Sequence, residues 1–239
     1  MIELLYDPQA WVSFLTLTVL EIVLGIDNIV FISILVGKLP ESQAKRARQI
    51  GLGLALAFRI LLLMALSYII GLTAPLFTIQ DQTFSWRDIV LIGGGLFLLW
   101  KSTREIHQDI EGEADALSSG ASAAFGAIVI QIIIIDMIFS IDSIITAVGI
   151  ADHVEVMIAA VIIAVIIMYA ASGPIAEFIR ENPTTKMLAL AFLLLIGVAL
   201  IADGFGLHIP RGYIYFAMAF SGMVEMFNIL AQRRRGEEK

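Results

Sequence analysis

The chain of 239 residues contains no cysteine and only three histidines. The lack of cysteine excludes disulfide bonds and thiolate metal sites. Charged residues are scarce at 15%, and acidic residues outnumber basic ones by 22 to 15, so the chain lacks the basic excess of a nucleic-acid-binding protein. A P-loop, a GxGxxG fingerprint within a nucleotide-binding unit and a nucleophile–base pair are also missing. We therefore expect neither an enzyme nor a protein with a prosthetic group.

The chain is instead rich in apolar sequence. Its hydrophobic content is 59% and its mean hydropathy is +0.91, whereas a soluble domain has about 45–50% apolar residues. The apolar residues form runs of roughly 20, the length that crosses a bilayer as an α-helix. The sequence therefore predicts an all-α membrane protein with seven transmembrane helices. These spans are predicted at about 10–36, 49–73, 87–103, 123–149, 154–178, 186–205 and 210–231.

The basic residues beside these spans predict the orientation of the chain. Twelve lysines and arginines lie after spans one, three and five or in the C-terminal tail, whereas only Arg87 and Arg211 lie at the opposite ends of the spans. Membrane proteins concentrate basic residues on their cytoplasmic side. We therefore expect a multi-pass protein with its N-terminus outside and its C-terminus in the cytoplasm.

One acidic motif occurs twice in this apolar background. In each copy a carboxylate is followed six residues later by an aspartate and then by a short polar residue. Three predicted spans separate the starts of the two copies, so the copies cross the membrane in opposite directions, as the inverted repeats of secondary transporters do. The copies are Glu21-x5-Asp27-Asn28 and Asp136-x5-Asp142-Ser143, which lie 115 residues apart.

A weaker match extends the repeat to the third span of each half. Gly95-x5-Lys101 in span three parallels Gly197-x5-Asp203 in span six, and a histidine follows each. The acidic stretch between the two halves contains serine and glycine, which favours a flexible cytoplasmic linker. We therefore predict a single transporter domain at 1–239, with repeat one at about 10–103, the linker at 105–122, repeat two at about 123–205 and an extra helix at about 210–231.

The motif residues lie near the middle of spans one and four, where each carboxylate costs roughly 2.5–3.5 kcal/mol on insertion scales. The four carboxylates should therefore face the protein interior and meet a cation, a proton or water. With the neighbouring amide and hydroxyl they offer only hard oxygen ligands, which suit Mn2+, Mg2+ or Ca2+. Carboxylates brought together also tend to hold a proton, so coupling to protons is expected. The predicted metal ligands are Glu21, Asp27, Asn28, Asp136, Asp142 and Ser143.

The spacing within the motif adds a geometric condition. On an ideal helix a residue six positions further on points about 120° away, whereas seven positions bring it back to within about 20°. Both carboxylates of one motif can face the same ion only if the helix is distorted between them. We therefore expect unwinding or a kink near Gly25 and Ser140, which are equivalent positions of the two copies.

Other polar residues in the predicted spans are secondary candidates for the site. The arginine within span two needs a partner and serves either as a counter-ion of the site or in a structural ion pair. Among the motif residues themselves, Asn28 and Ser143 are explained equally well by helix packing. The secondary candidates are Arg59, Lys101, Asp203 and Glu225.

Four stretches of the chain together resemble the TerC family of integral membrane proteins. The resemblance covers essentially the whole chain and is to the short bacterial members of the family. It implies an inner-membrane protein with two inverted three-helix repeats and a seventh span, related to the LysE exporter superfamily. It also implies export of Mn2+ from the cytoplasm, with the acidic motif of the family on the six motif residues. The stretches are EIVLGIDNIVFI, DMIFSIDS, GLFLLWKSTREIH and IADGFGLHIPRGYIYFAMAFS.

The leading hypothesis is a divalent cation transporter that exports Mn2+, with the metal ion and the lipid bilayer as its partners and no role for nucleic acid. One alternative is a proton-coupled carrier of another small substrate, such as an amino acid, for which only Arg59 offers a positive charge within a span. A second alternative is a non-transporting membrane scaffold linked to metal or tellurium resistance. The direction of transport rests on the resemblance, because an inverted repeat is symmetric about the membrane plane. The oligomeric state is not predicted.

Overall fold

A computed structural model describes residues 6–65, 73–79, 82–111, 121–151 and 153–237. This part of the chain is helical apart from one small antiparallel hairpin, so the predicted helical architecture is confirmed here and the hairpin is an addition to it. The elements are α1 (Pro8–Val36), α2 (Glu41–Met64), β1 (Pro75–Ile79), β2 (Gln82–Ser85), α3 (Trp86–Glu111), α4 (Ala121–Val148), α5 (Val154–Glu181), α6 (Pro183–Gly204) and α7 (Arg211–Glu237).

The first helix, α1, shows how this sequence makes a helix of membrane length. It begins after Asp7, whose carboxylate accepts a hydrogen bond from the backbone N–H of Gln9 at 2.9 Å. Pro8 occupies the first turn, where its missing N–H leaves no intrahelical bond unmade. The helix then runs for 29 residues. At 1.5 Å per residue its length is about 43 Å, which exceeds the roughly 30 Å of a bilayer core.

Most helices begin and end within a few residues of the predicted spans, although α7 continues to Glu237, past its predicted end at about 231. Of two larger exceptions, the first is α2, which begins at Glu41 rather than near residue 49, so the basic stretch before the predicted span is already helical. Its described part ends at Met64, and the predicted end of the span at residue 73 borders a segment outside the described residues.

The second exception is α3, which continues to Glu111, so the start of the predicted linker 105–122 is helical rather than flexible. Contacts one turn apart stabilise this extension: Lys101 pairs with Glu105 at 2.9 Å, and His107 contacts Glu111 at 3.0 Å. The last residues of the predicted linker belong to α4, and its middle lies outside the described residues.

Six of the seven described helices are long and apolar enough to cross a membrane, and α3 is the exception. Only twelve uncharged residues separate Asp88 from Lys101 in α3. Twelve residues make about 18 Å of helix, which is shorter than the roughly 30 Å hydrocarbon core. The described structure thus contains six candidate membrane spans, and a seventh stays a prediction.

The chain packs as two compact units. Unit 1 comprises Met1–Val90 and Ala116–Phe178, and it contains α1, α2, the hairpin, α4 and most of α5. Unit 2 comprises Leu91–Asp115 and Ile179–Lys239, and it contains most of α3 together with α6 and α7. Each predicted repeat therefore contributes its first two helices to unit 1 and its third helix to unit 2.

Each unit has close packing of its own kind. In unit 1, buried apolar side chains from α1, α4 and α5 form one cluster, among them Leu17, Ile144 and Met168. In unit 2, α3 and α6 approach so closely at Gly95 and Gly197 that a Cβ on either glycine would press against the backbone oxygen of the other. Glycine permits such an approach because it carries no side chain.

Candidate functional site

All six residues of the repeated motif are buried in unit 1, and none is more than 8% exposed. Burial of carboxylates away from lipid is expected from their cost in a bilayer, but burial in turn requires a partner for each charge. The two equivalent carboxylates, Glu21 in α1 and Asp136 in α4, contact the same cation. That cation is Arg59 of α2, which is only 3% exposed.

The Arg59 guanidinium uses three of its nitrogens in this contact. Its Nη1 donates to the Glu21 carboxylate, its Nη2 donates to Asp136 Oδ1 at 3.1 Å, and its Nε donates to Ser140 Oγ at 2.9 Å. The Ser140 hydroxyl in turn donates to Asp136 Oδ2 at 3.1 Å. We call these four residues, Glu21, Arg59, Asp136 and Ser140, the Arg59 network.

The Arg59 network fixes three helices to one another through buried charge. A planar guanidinium presents its donors in a rigid fork, and charge-assisted hydrogen bonds are about twice as strong as neutral ones. Removing one partner of such a buried pair costs about 3–5 kcal/mol, because the other charge is left buried without compensation. Arg59 thus contacts two of the predicted metal ligands, and both roles considered for it, counter-ion of the site and structural ion pair, stay predictions.

The two short polar residues of the motif play unequal roles. Asn28 joins the Arg59 network, since its Nδ2 donates to Asp136 Oδ1 at 3.3 Å. The Oδ1 atom of Asn28 is buried and accepts no hydrogen bond within the described part of the chain, so an acceptor oxygen beside Asp136 is open to a ligand. Ser143 donates to the backbone oxygen of Ser140 in its own helix at 3.3 Å, which is a local helix contact.

The second carboxylate of the α4 motif meets a different arginine. Asp142 Oδ1 accepts a hydrogen bond from Arg87 Nη2 at 2.5 Å, and both side chains are largely buried. Arg87 lies in the first turn of α3 and was expected only as a residue near the outer boundary. The Ser-x-x-Asp pattern at 85–88 marks the start of this helix, but no local sequence signal indicates the contact of Arg87 with Asp142.

That pattern forms a reciprocal capping box at the start of α3. The Asp88 carboxylate accepts hydrogen bonds from the backbone N–H of Ser85 at 2.8 Å and from its hydroxyl at 2.6 Å. The backbone N–H of Asp88 donates back to Ser85 Oγ at 3.3 Å. Because Ser85 ends β2, the cap joins the hairpin to α3 and fixes the backbone that carries Arg87.

The helices that carry the motifs are continuous through Gly25 and Ser140, so the unwinding expected there does not occur. Gly25 instead admits the side chain of Met168 from α5, whose sulfur occupies the place of a Cβ. Ser140 is a member of the Arg59 network. With the helix intact, carboxylates six residues apart point in different directions, and this is why Asp136 and Asp142 meet two different arginines.

The described residues contain no group of three or more acidic, histidine or cysteine side chains arranged to hold a metal ion. Glu21 and Asp136 each contact the Arg59 guanidinium. The six-residue metal site therefore stays a prediction. The donor set still suits a hard cation, because two carboxylates contact the guanidinium and an amide side chain contacts one of them.

Three of the four secondary candidates belong to unit 2, where each forms a pair of its own. Lys101 pairs with Glu105 one turn away at 2.9 Å. Asp203, the equivalent of Lys101 in the predicted repeat, lies 3.7 Å from Arg211. The third candidate in unit 2 is Glu225, whose carboxylate accepts a hydrogen bond from the hydroxyl of Thr184.

Comparison with known proteins gives one family. The sequence profile described as "Integral membrane protein TerC family" matches residues 6–239. The chain is 51% identical over 228 residues to the UPF0053 inner membrane protein YgdQ of Escherichia coli K12, covering 95% of this chain and 96% of that protein. It is 53% identical over 234 residues to a UPF0053 protein of Haemophilus influenzae, covering 98% and 99%. It is also 50% identical to the E. coli inner membrane protein YoaE, of which it covers 45%. No solved structure gives a significant match.

Proposed function

Because the chain belongs to the TerC family of integral membrane proteins, we propose that it is a divalent metal cation transporter of the bacterial inner membrane. The proposed substrate is Mn2+, moved out of the cytoplasm, with the N-terminus outside and the C-terminus inside. Coupling of this movement to protons is part of the proposal, since carboxylates that bind a cation also bind protons.

The observation that carries this proposal is the sign of the buried charge in unit 1. The buried charged residues described there are four acids and one base, Arg59. Arg87 adds a second positive charge at Asp142. Because Arg87 also contacts Asp88, the acids still outnumber the arginines when all groups are ionised. A divalent cation offsets part of this negative charge, whereas an anionic substrate would increase it.

The inverted repeat receives support from contacts between equivalent positions. Glu21 and Asp136, which correspond in the two motifs, hold the same guanidinium. Gly95 and Gly197, which correspond in the weaker match, lie at one helix crossing. When two repeats are related by an approximate two-fold axis, equivalent residues of the two repeats contact each other only near that axis. We therefore retain two inverted three-helix repeats and a seventh span as the architecture of the proposed transporter.

The alternative of a carrier for amino acids or other carboxylate substrates is disfavoured by the state of Arg59. That carrier needs a positive group free to bind a carboxylate, but two carboxylates of the protein already engage the guanidinium. The alternative of a scaffold makes an opposite prediction, because a scaffold tolerates neutral replacements at buried acids that leave the fold intact.

The proposal is tested by Mn2+ flux into liposomes that contain the purified protein and an enclosed Mn2+-sensitive dye. We expect faster flux than in empty liposomes, and a loss of about tenfold or more with Asp27→Asn, the scale on which metal sites respond to altered ligation. Glu111→Gln, which changes an exposed residue of α3, is the control and should leave the rate unchanged. Wild-type liposomes with no more flux than empty ones would exclude the proposal and favour the scaffold, and an unchanged rate in Asp27→Asn would exclude Asp27 from the transport site.

A further inference from the structure

We propose that Arg59 is a tethered competitor of the transported cation, which occupies the cation position between Glu21 and Asp136 until a divalent ion displaces it. This inference rests on the proposed function and deepens it. It assigns two roles to Arg59: occupying the cation position when no metal ion is bound, and giving the site its preference for divalent ions.

The first step of the argument is the position of the guanidinium. Its donors contact an oxygen of Glu21 from α1 and an oxygen of Asp136 from α4, which are the equivalent carboxylates of the two motifs. The network is almost sealed, since Arg59 is 3% exposed and Glu21 is 2% exposed. A metal ion cannot share both carboxylates with the guanidinium at that distance, because two cations would then face each other in a low-dielectric interior. Binding of the metal and binding of the guanidinium are therefore mutually exclusive.

The second step is the presence of an acceptor that the guanidinium leaves unused. Asn28 is 3% exposed and donates to Asp136 Oδ1, but its own Oδ1 has no donor within the described residues. A buried amide oxygen without a donor is costly, and a cation would satisfy it. The Arg59 network thus holds two carboxylates and leaves a neutral oxygen beside them. These are three ligands of the type that Mn2+, Mg2+ and Ca2+ prefer.

The third step concerns which ions can displace the arginine. Displacement has to replace three charge-assisted hydrogen bonds, and a single positive charge at the same distance offers no electrostatic gain over the guanidinium. A divalent ion doubles the Coulomb interaction with each carboxylate. The tethered guanidinium therefore excludes Na+ and K+ and admits divalent ions, and it does so without a rigid cage.

The test is Mn2+ binding to the full-length protein in lipid nanodiscs, measured from the electron paramagnetic resonance signal of free Mn2+. The main variant is Arg59→Ala. The matched control is Arg46→Ala, which removes an exposed arginine of the same helix. We expect Arg59→Ala to bind Mn2+ about tenfold or more tightly than wild type, within the range of ordinary coupling between two ligands of one protein. Arg46→Ala should bind like wild type.

A second measurement uses the guanidinium ion itself as the probe. Guanidinium chloride at millimolar concentration should weaken Mn2+ binding to Arg59→Ala, because the free ion refills the vacated position, and should leave wild type unaffected. Arg59→Lys serves where Arg59→Ala does not fold, since it keeps the charge but loses the fork, and it too should bind Mn2+ more tightly than wild type.

The outcomes separate the two proposals. Mn2+ binding that is equal to or weaker than wild type in folded Arg59→Ala, or in Arg59→Lys, overturns the proposal that Arg59 competes with the cation. Arg59 would then form a structural ion pair, and the proposed Mn2+ transport would be unaffected. Absence of Mn2+ binding in wild type and in every Arg59 variant, together with absence of flux in liposomes, overturns both. Tighter binding that guanidinium reverses supports the competitor, since a merely structural arginine would not yield it.

Discussion

Unit 1 and unit 2 are both built from long apolar helices, but they differ in what they bury between those helices. Unit 1 buries the Arg59 network and the remaining acids of the two motifs. The helix crossing described in unit 2 is made by two glycines, and the two buried acids described in that unit, Glu105 and Asp203, form separate pairs with Lys101 and Arg211 rather than one network. The two units therefore solve helix packing by different means.

The difference between the units lies in the free-energy cost of burying charged groups. A glycine crossing needs no desolvated charge and gains van der Waals contact between backbones. A buried ionic network is no more stable than well-packed apolar side chains would be, and it collapses when one partner is removed. Stability alone therefore does not explain the acids of unit 1, whereas the proposed binding and release of a cation would.

The sharpest way to break this comparison is to neutralise one aspartate in each unit. Asp136→Asn removes a carboxylate that contacts Arg59, Ser140 and Asn28, and we expect it to destabilise the protein by about 3–5 kcal/mol, because the guanidinium is left buried with one acid. Asp203→Asn in unit 2 weakens a longer contact, 3.7 Å from the partly exposed Arg211, and should cost less than Asp136→Asn. Equilibrium unfolding in detergent measures both.

A double variant identifies the cause of the expected loss. Adding Arg59→Gln to Asp136→Asn removes the stranded positive charge, so the double variant should be more stable than the sum of the two single losses indicates. Additive losses, or equal losses from Asp136→Asn and Asp203→Asn, would mean that unit 1 does not depend on its buried charge in the way described.

Much of this organisation could be predicted from local sequence. Uninterrupted apolar runs set the helices, because lipid offers the backbone no other hydrogen-bond partner. The cost of a carboxylate in a bilayer predicted that the motif acids would be buried, and they are. The capping box at Ser85 and Asp88 was also visible in the sequence, although its consequence for the adjacent arginine was not.

The partners of the buried charges could not be predicted in the same way. Whether Arg59 contacts Glu21, Asp136 or neither depends on how α1, α2 and α4 pack, and residues 38 and 77 positions apart carry no local signal of that contact. The unwinding expected near Gly25 and Ser140 failed for a related reason. It assumed that both acids of a motif face one ion, whereas the fold supplies a second cation, Arg87, so that a regular helix suffices.

The glycine crossing of unit 2 offers the next largest effect. Gly95→Ala would place a Cβ 2.5 Å from the backbone oxygen of Gly197, which cannot move aside as a side chain can, so we expect a loss of about 1–3 kcal/mol. Gly93→Ala lies on the same helix, and its added Cβ would meet nothing within 4 Å. We expect this variant to be as stable as wild type or more stable by up to about 1 kcal/mol, because alanine has the higher helix propensity. Similar effects of the two variants would show that the close approach of α3 and α6 does not support unit 2.

A smaller effect is expected for the ion pair between Arg87 and Asp142. A double-mutant cycle with Arg87→Gln and Asp142→Asn should give a coupling energy of about 0.5–3 kcal/mol, as for other residues in direct contact. The control cycle pairs Arg87→Gln with Asp88→Asn, whose charged groups lie 3.7 Å apart, and its coupling should be weaker. A stronger coupling to Asp88 would assign Arg87 to the start of its own helix rather than to the α4 motif.

The smallest effect is expected from Ser85→Ala, which removes the hydroxyl of the α3 cap. Loss of such a cap costs about 1 kcal/mol. Thr83→Ala, which removes an exposed hydroxyl on the same strand, is the control and should change stability less. Because the cap fixes the backbone before Arg87, Ser85→Ala should also reduce the coupling between Arg87 and Asp142. A stability loss as large as that of Asp136→Asn would reverse the comparison, since the hairpin junction and not the buried charge would then limit the stability of unit 1.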